Sequence, residues 1–185
     1  GKIYEQEYRC GIPQYDVRVI GETTERGTVT TFWPDGDIFT TLEYKFDTLA
    51  SRMRELAFLN AGVSITLTDE REQVEVRDDD GKLTYAGPLK KHFHSEGGIK
   101  EFVQFLDQTR EALHPEPIYI SGIDEAGTVP VEIALQYNRS YTENLHSYVN
   151  NINTHEGGTH VSGFKKALTR SMKNYSDKTG ATSKL

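Results

Sequence analysis

Cysteine occurs once, at Cys10, and tryptophan once, at Trp33, in a chain of 185 residues. A lone thiol cannot close an internal disulfide, which argues against a secreted disulfide scaffold. No motif beside Cys10 would activate it as a nucleophile. No apolar run approaches the roughly 20 residues that a membrane-spanning helix needs, so no membrane partner is expected. A charged-then-apolar leader is missing too, and the expected compartment is cytoplasmic. Metal ligands are equally sparse. His92 and His94 could share a strand face, but no third or fourth ligand accompanies them, and strand histidines are the simpler reading.

What is present is an ordinary globular composition: 36% hydrophobic and 26% charged residues, with a net charge of −7. That length holds one ordinary domain or two small ones. The charge is unevenly placed. From Thr159 onward, Lys165, Lys166, Arg170, Lys173, Lys178 and Lys184 face the single acid Asp177. An acidic body with a basic tail suggests a local anion-binding face rather than a wholly basic binder.

Along the chain, Ile3 to Arg9, Asp16 to Ile20 and Thr28 to Trp33 read as strands separated by turn residues. Phe46, Leu49, Ala50, Met53, Leu56 and Ala57 then recur at helical spacing, with Asp47 placed to cap and Gly62 to terminate. Val63, Ile65 and Leu67 alternate as a strand, and Glu70 to Tyr85 reads as an acidic hairpin turning at Asp80-Gly81. Gly87-Pro88 is the expected boundary, giving parts 1–87 and 88–185. Beyond it, Ile99, Phe102, Val103 and Leu106 mark a second helix. Strands are expected at Ile118 to Ile123, Val129 to Tyr137 and Glu143 to Val149, then a polar loop from Asn150 to His160. A last helix carries Val161, Phe164, Leu168, Met172 and Tyr175 on one face. At about 100° per residue, Lys166, Arg170 and Lys173 point the other way. The expected class is α+β.

Two readings of that basic face stay open: a track for a phosphate backbone, or a solvated outer surface near a helix C-terminus, where cations are favoured anyway. Gly157-Gly158 before the helix could offer free N–H groups to a phosphate, but it lacks a P-loop ending, and a tight turn is the simpler alternative.

Several segments together carry a resemblance. Gly27-Thr28-Val29-Thr30-Thr31-Phe32-Trp33-Pro34-Asp35 resembles the strand after the ATP lid in the DNA gyrase B family of type IIA topoisomerases. Arg52 to Val63 is similar to that family's next helix and strand, and His92 to Ile99 to the start of its transducer. Tyr148 to Ile152 and Glu156 to Phe164 resemble the transducer's signature loop and helix. The segments occur in the family's order across nearly the whole chain.

The resemblance implies the C-terminal remnant of a gyrase/Hsp90/histidine-kinase/MutL-type ATPase sandwich, followed by an incomplete ribosomal-protein-S5-like transducer. It also implies a segment that couples ATP binding and hydrolysis to movement of a DNA gate and negative supercoiling. The implied partners are DNA, the gyrase A protein and a second copy of gyrase B; ATP and Mg²⁺ are the implied cofactors of the intact protein. Thr28 matches a threonine near the adenine, Thr30 would line the same pocket, and Lys166, Arg170 and Lys173 are candidates for the positive lining of the DNA cavity. No residue here matches the family's catalytic glutamate or magnesium ligand, and Gln108-Thr109-Arg110 is not its phosphate-contacting loop. The chain alone is therefore expected neither to bind nor to hydrolyse ATP. The alternatives are the equivalent component of topoisomerase IV and a free-standing nucleic-acid module using the basic helix.

Overall fold

A computed structural model describes residues 1–77 and 83–180. The chain divides into two units, Gly1–Lys45 and Phe46–Leu185. Its mixture of helices and antiparallel sheets is α+β.

In the first unit, β1 (Lys2–Glu5) pairs antiparallel with β4 (Arg18–Glu22). Between them, β2 (Tyr8–Arg9) and β3 (Ile12–Pro13) form a hairpin. Its two turn residues, Cys10 (φ 49°) and Gly11 (φ 78°), both take positive φ, the twist that suits a two-residue turn between right-twisted strands. The expected strand from Ile3 to Arg9 is thus two strands, broken where the Gln14 N–H donates to the Glu7 carbonyl at 2.9 Å. The β-branched run Thr28 to Trp33 is irregular rather than a strand. A strand exists by pairing, and no described residue pairs with this run, so Val29 and Trp33 are left 93% and 83% exposed.

The second unit opens with α1 (Phe46–Leu59). Ala50 and Ala57 are buried against Phe93, and Phe46, Met53, Ile65 and Leu67 close around them. The expected cap, Asp47, lies inside the first turn, where a carboxylate favours the positive end of the helix dipole. Gly62 takes φ 84° and its N–H donates to the Ser95 carbonyl at 2.8 Å. That conformation would strain any side chain.

The core lies between α1 and a long hairpin, β5 (Ser64–Arg77) with β6 (Leu83–His94), paired from Ser64 opposite His94 to Arg77 opposite Leu83 with register shifts between Asp69 and Gln73 and between Gln73 and Glu75. The expected turn at Asp80-Gly81 lies outside the described residues. Gly87-Pro88 falls within β6.

The helix α2 (Ile99–Asp107) starts where expected. Next, β7 (Ile118–Ile123) and β8 (Pro130–Leu135) pair antiparallel. Their turn is tied by Asp124, whose carboxylate accepts the N–H groups of Thr128 and Val129 at 2.6 and 2.7 Å. The strand expected from Glu143 shrinks to β9 (Tyr148–Val149), paired with β10 (Ile152–Asn153) inside the stretch read as loop. Asn150 and Asn151 turn between them at φ 51° and 65°, a conformation asparagine tolerates because its side chain can bond locally. The chain then enters α3 (Thr159–Thr179), closed by Gly180 at φ 66°.

Candidate functional site

The polar side chains of α1 converge on the β9–β10 turn. Arg52 sits three residues before Glu55, one helical turn, and the two form an ion pair. Arg52 also donates through Nη2 to the Asn151 carbonyl at 2.8 Å. Tyr148 donates its hydroxyl to Glu55 Oε1. Asn151 donates Nδ2 to Asn60 Oδ1 at 2.8 Å, and Asn60 donates to the Leu56 carbonyl. Burial pushes the Glu55 carboxyl up, but the hydrogen bonds from Tyr148 and Arg52 outweigh it and hold it below the usual carboxylate range. Burial, and then the bond to Glu55, pushes the Tyr148 phenol up, so it stays a neutral donor. Below this polar layer, Phe58 stacks on Phe102 with ring centres 5.1 Å apart, and Tyr148 lies 6.4 Å from the same ring. Residues more than 90 positions apart in sequence are joined here.

The lead into α2 is built from its own motif. Ser95, 2% exposed, donates its hydroxyl to Glu101 Oε2 and accepts the Gly98 N–H at 3.0 Å. Glu101 Oε1 accepts the Gly97 N–H at 2.9 Å. The N–H of Gly98 at the helix start, and that of Gly97 just before it, are satisfied this way. Gly98 takes φ 59°, and a Cβ there would come within 3.3 Å of Ala61. The Ser95-Glu96-Gly97-Gly98 run is therefore a helix start. His94 and His92 sit on β6 beside the hydroxyls of Ser64 and Thr66 at 3.2 and 3.1 Å, and no metal-binding cluster occurs among the described residues.

The three basic candidates lie on α3. Lys166, Arg170 and Lys173 are exposed, and none forms an ion pair among the described residues, whereas Lys165 pairs with Glu143 at 2.7 Å. On the opposite side Val161, Phe164 and Leu168 are half-buried, while Met172 and Tyr175 remain 52% and 66% exposed. The Gly157 N–H donates to the Thr154 carbonyl at 2.8 Å, so the glycine pair makes a turn instead of a free anion cradle. Thr28 and Thr30 are both exposed in the irregular segment between β4 and α1. Arg110 of the Gln-Thr-Arg run pairs with Asp107 at the end of α2, 3.2 Å away.

Sequence reasoning singled out the segments holding Arg52, Glu55, Asn60, Tyr148 and Asn151, but not their meeting. The legible signals are an Arg–Glu pair one turn apart and an Asn-Asn turn. Which helix receives that turn is a tertiary matter.

Comparison with known proteins agrees with this architecture. Residues 98–184 match the family described as DNA gyrase B. The DNA gyrase B protein of Cytophaga aurantiaca is 55% identical over 185 residues, all of this chain and 36% of the relative. That of Bacillus mycoides is 49% identical over 96% of the chain and 40% of its own length. Among solved structures, the 43K ATPase domain of Thermus thermophilus gyrase B, in complex with an aminocoumarin, superposes with a TM-score of 0.73 at 29% identity. That match covers 98% of this chain and 45% of the other. The chain thus spans well under half the length of the relatives it matches.

Proposed function

This chain is a relative of the DNA gyrase B proteins along its whole length, and from that premise we propose that it is the coupling segment of such a protein. Its task is to pass the nucleotide state of an ATPase domain to a gate that captures DNA. In the complete protein, ATP and Mg²⁺ would supply the driving reaction, with DNA, the gyrase A protein and a second copy of gyrase B as partners. The observation that carries the reading is the end-to-end similarity, 55% identity over all of this chain.

The nucleotide itself finds little here. Thr28 and Thr30 offer hydroxyls on an exposed segment, without a charge or metal ligand of their own, and do not by themselves make an ATP site. The chain alone neither captures nor hydrolyses ATP on this reading. Lys166, Arg170 and Lys173 are the DNA-facing groups: three cations within two turns on one exposed face, each without a carboxylate partner among the described residues, can replace counterions on phosphates.

Two measurements test the proposal. A fluorescent, non-hydrolysable ATP analogue titrated into this chain should give no saturable binding; saturation that disappears in Thr28→Ala would overturn the division of labour. DNA affinity of the complete gyrase B protein should fall when the three cations become alanine, and the slope of log affinity against log salt should shrink by about 0.9 per lost phosphate contact. An unchanged slope would remove these residues from the DNA surface.

A further inference from the structure

The basic face of α3 is only as well placed as the start of its helix, and that start is tied back to α1. From Glu55 the connection runs to the Tyr148 hydroxyl, and β9 and β10 are in register there, Tyr148 opposite Asn153. The next pair outward is Ser147 with Thr154, whose hydroxyls lie 2.6 Å apart and whose backbones bond at 2.8 Å. Thr154 Oγ1 then sits 3.2 Å from His160 Nε2, in the first turn of α3, while its carbonyl accepts the Gly157 N–H. From His160 a rigid helix carries the geometry about 15 Å on to Arg170 at 1.5 Å per residue.

The last link, from Thr154 to His160, is solvent-exposed and is backed by the Gly157 N–H bond to the Thr154 carbonyl. At the origin of the route Glu55 governs two contacts on the hairpin, because the arginine that pairs with it also grips the Asn151 carbonyl, while the Asn60–Asn151 bond is a separate contact. Moving or neutralising Glu55 therefore disturbs the Tyr148 and Arg52 grips together and leaves the Asn60–Asn151 bond. α3 itself has no fully buried residue; its other anchors are half-buried Val161, Phe164 and Leu168 and the Lys165–Glu143 pair.

Resting on the coupling reading above, we infer that Glu55 is a positioning residue: through Tyr148 and the β9–β10 hairpin it sets the placement of the basic helix, and so links α1 to the DNA-facing cations without touching either ligand. A coupling of this kind is a free energy shared between two sites, and its expected size is about fivefold or more in the linked response. The test of such a coupling is energetic, by single and double variants.

The experiment uses the complete gyrase B protein together with its DNA-cleaving partner, and measures ATP hydrolysis with and without linear duplex DNA. Glu55→Gln keeps the shape and removes the charge; Tyr148→Phe keeps the ring and removes the donor. Expected are DNA-free hydrolysis within about twofold of the parent and a DNA response reduced about fivefold or more. The double variant should be no worse than the more affected single one. Parent-like DNA responses in both variants, additive losses in the double variant, or equal losses with and without DNA would overturn the role of Glu55 while leaving the coupling reading intact. A parent protein whose hydrolysis ignores DNA would overturn the coupling reading, and this inference with it.

Discussion

Single residues in this chain set local charge states with consequences for stability. Arg71 donates to Asp69 from both its guanidinium and its backbone N–H, holding the carboxyl at about 2, below its ordinary 3.8. A depressed carboxyl contributes stability above its unfolded value that is lost as pH falls through its folded one. Asp69→Asn should therefore flatten the decline in melting temperature between about pH 4 and pH 2, and an unchanged acid limb would refute this. His94 runs the other way. Its ring nitrogens face Glu96 at 2.7 Å and the Val63 carbonyl at 3.1 Å, and both contacts favour the cation and raise it above 6.5. The stabilisation is complete below pH 6.5 and disappears as pH rises through the raised folded value. An NMR titration should place His94 above 6.5, and Glu96→Gln should bring it down.

At the scale of elements, α1 connects everything of interest in the second unit. One face supplies the alanines against which Phe93 packs; another supplies Arg52 and Glu55 for the hairpin. Small residues at 50 and 57 let the helix lie close on the β5–β6 hairpin, where the ring of Phe93 is buried among them. Phe93→Ala should cost about 3–5 kcal/mol of unfolding free energy, measurable by urea titration. A loss under about 1 kcal/mol would mean that the core is not where the structure places it. The start of α2 makes a second element-level case. Gly98→Ala puts a Cβ at positive φ and against Ala61, so it should destabilise by about 1 kcal/mol or more, whereas Gly122→Ala, on a strand in open space, should have a smaller effect.

For the whole molecule, the division at Lys45 separates a unit rich in exposed apolar side chains from one with a definable core. The exposed side chains of Val29, Phe32 and Trp33 follow from sequence made for pairing that has no partner among the described residues. The second unit carries both the basic helix and the hairpin relay, and it is there that the relation to the gyrase B proteins gains functional content. The chain's charge divides between a basic C-terminal helix and an acidic remainder.

The sequence alone was enough for the helices. Apolar residues at helical spacing placed α1, α2 and α3 within a few residues, because a helix is closed by bonds among near neighbours and needs only one face buried. It also sufficed for the β7–β8 ladder, whose alternation is local, and for the resemblance that the comparisons bear out. Strands at Thr28 to Trp33 and Glu143 to Val149 were another matter. Their composition suits a sheet, but a strand is defined by a partner that can lie anywhere in the chain. The meeting of Glu55 with Tyr148 was invisible for the same reason. Each residue is ordinary in its own segment, and only the tertiary structure, by folding a hairpin back onto a helix 93 positions earlier, gives the carboxylate and the phenol to each other.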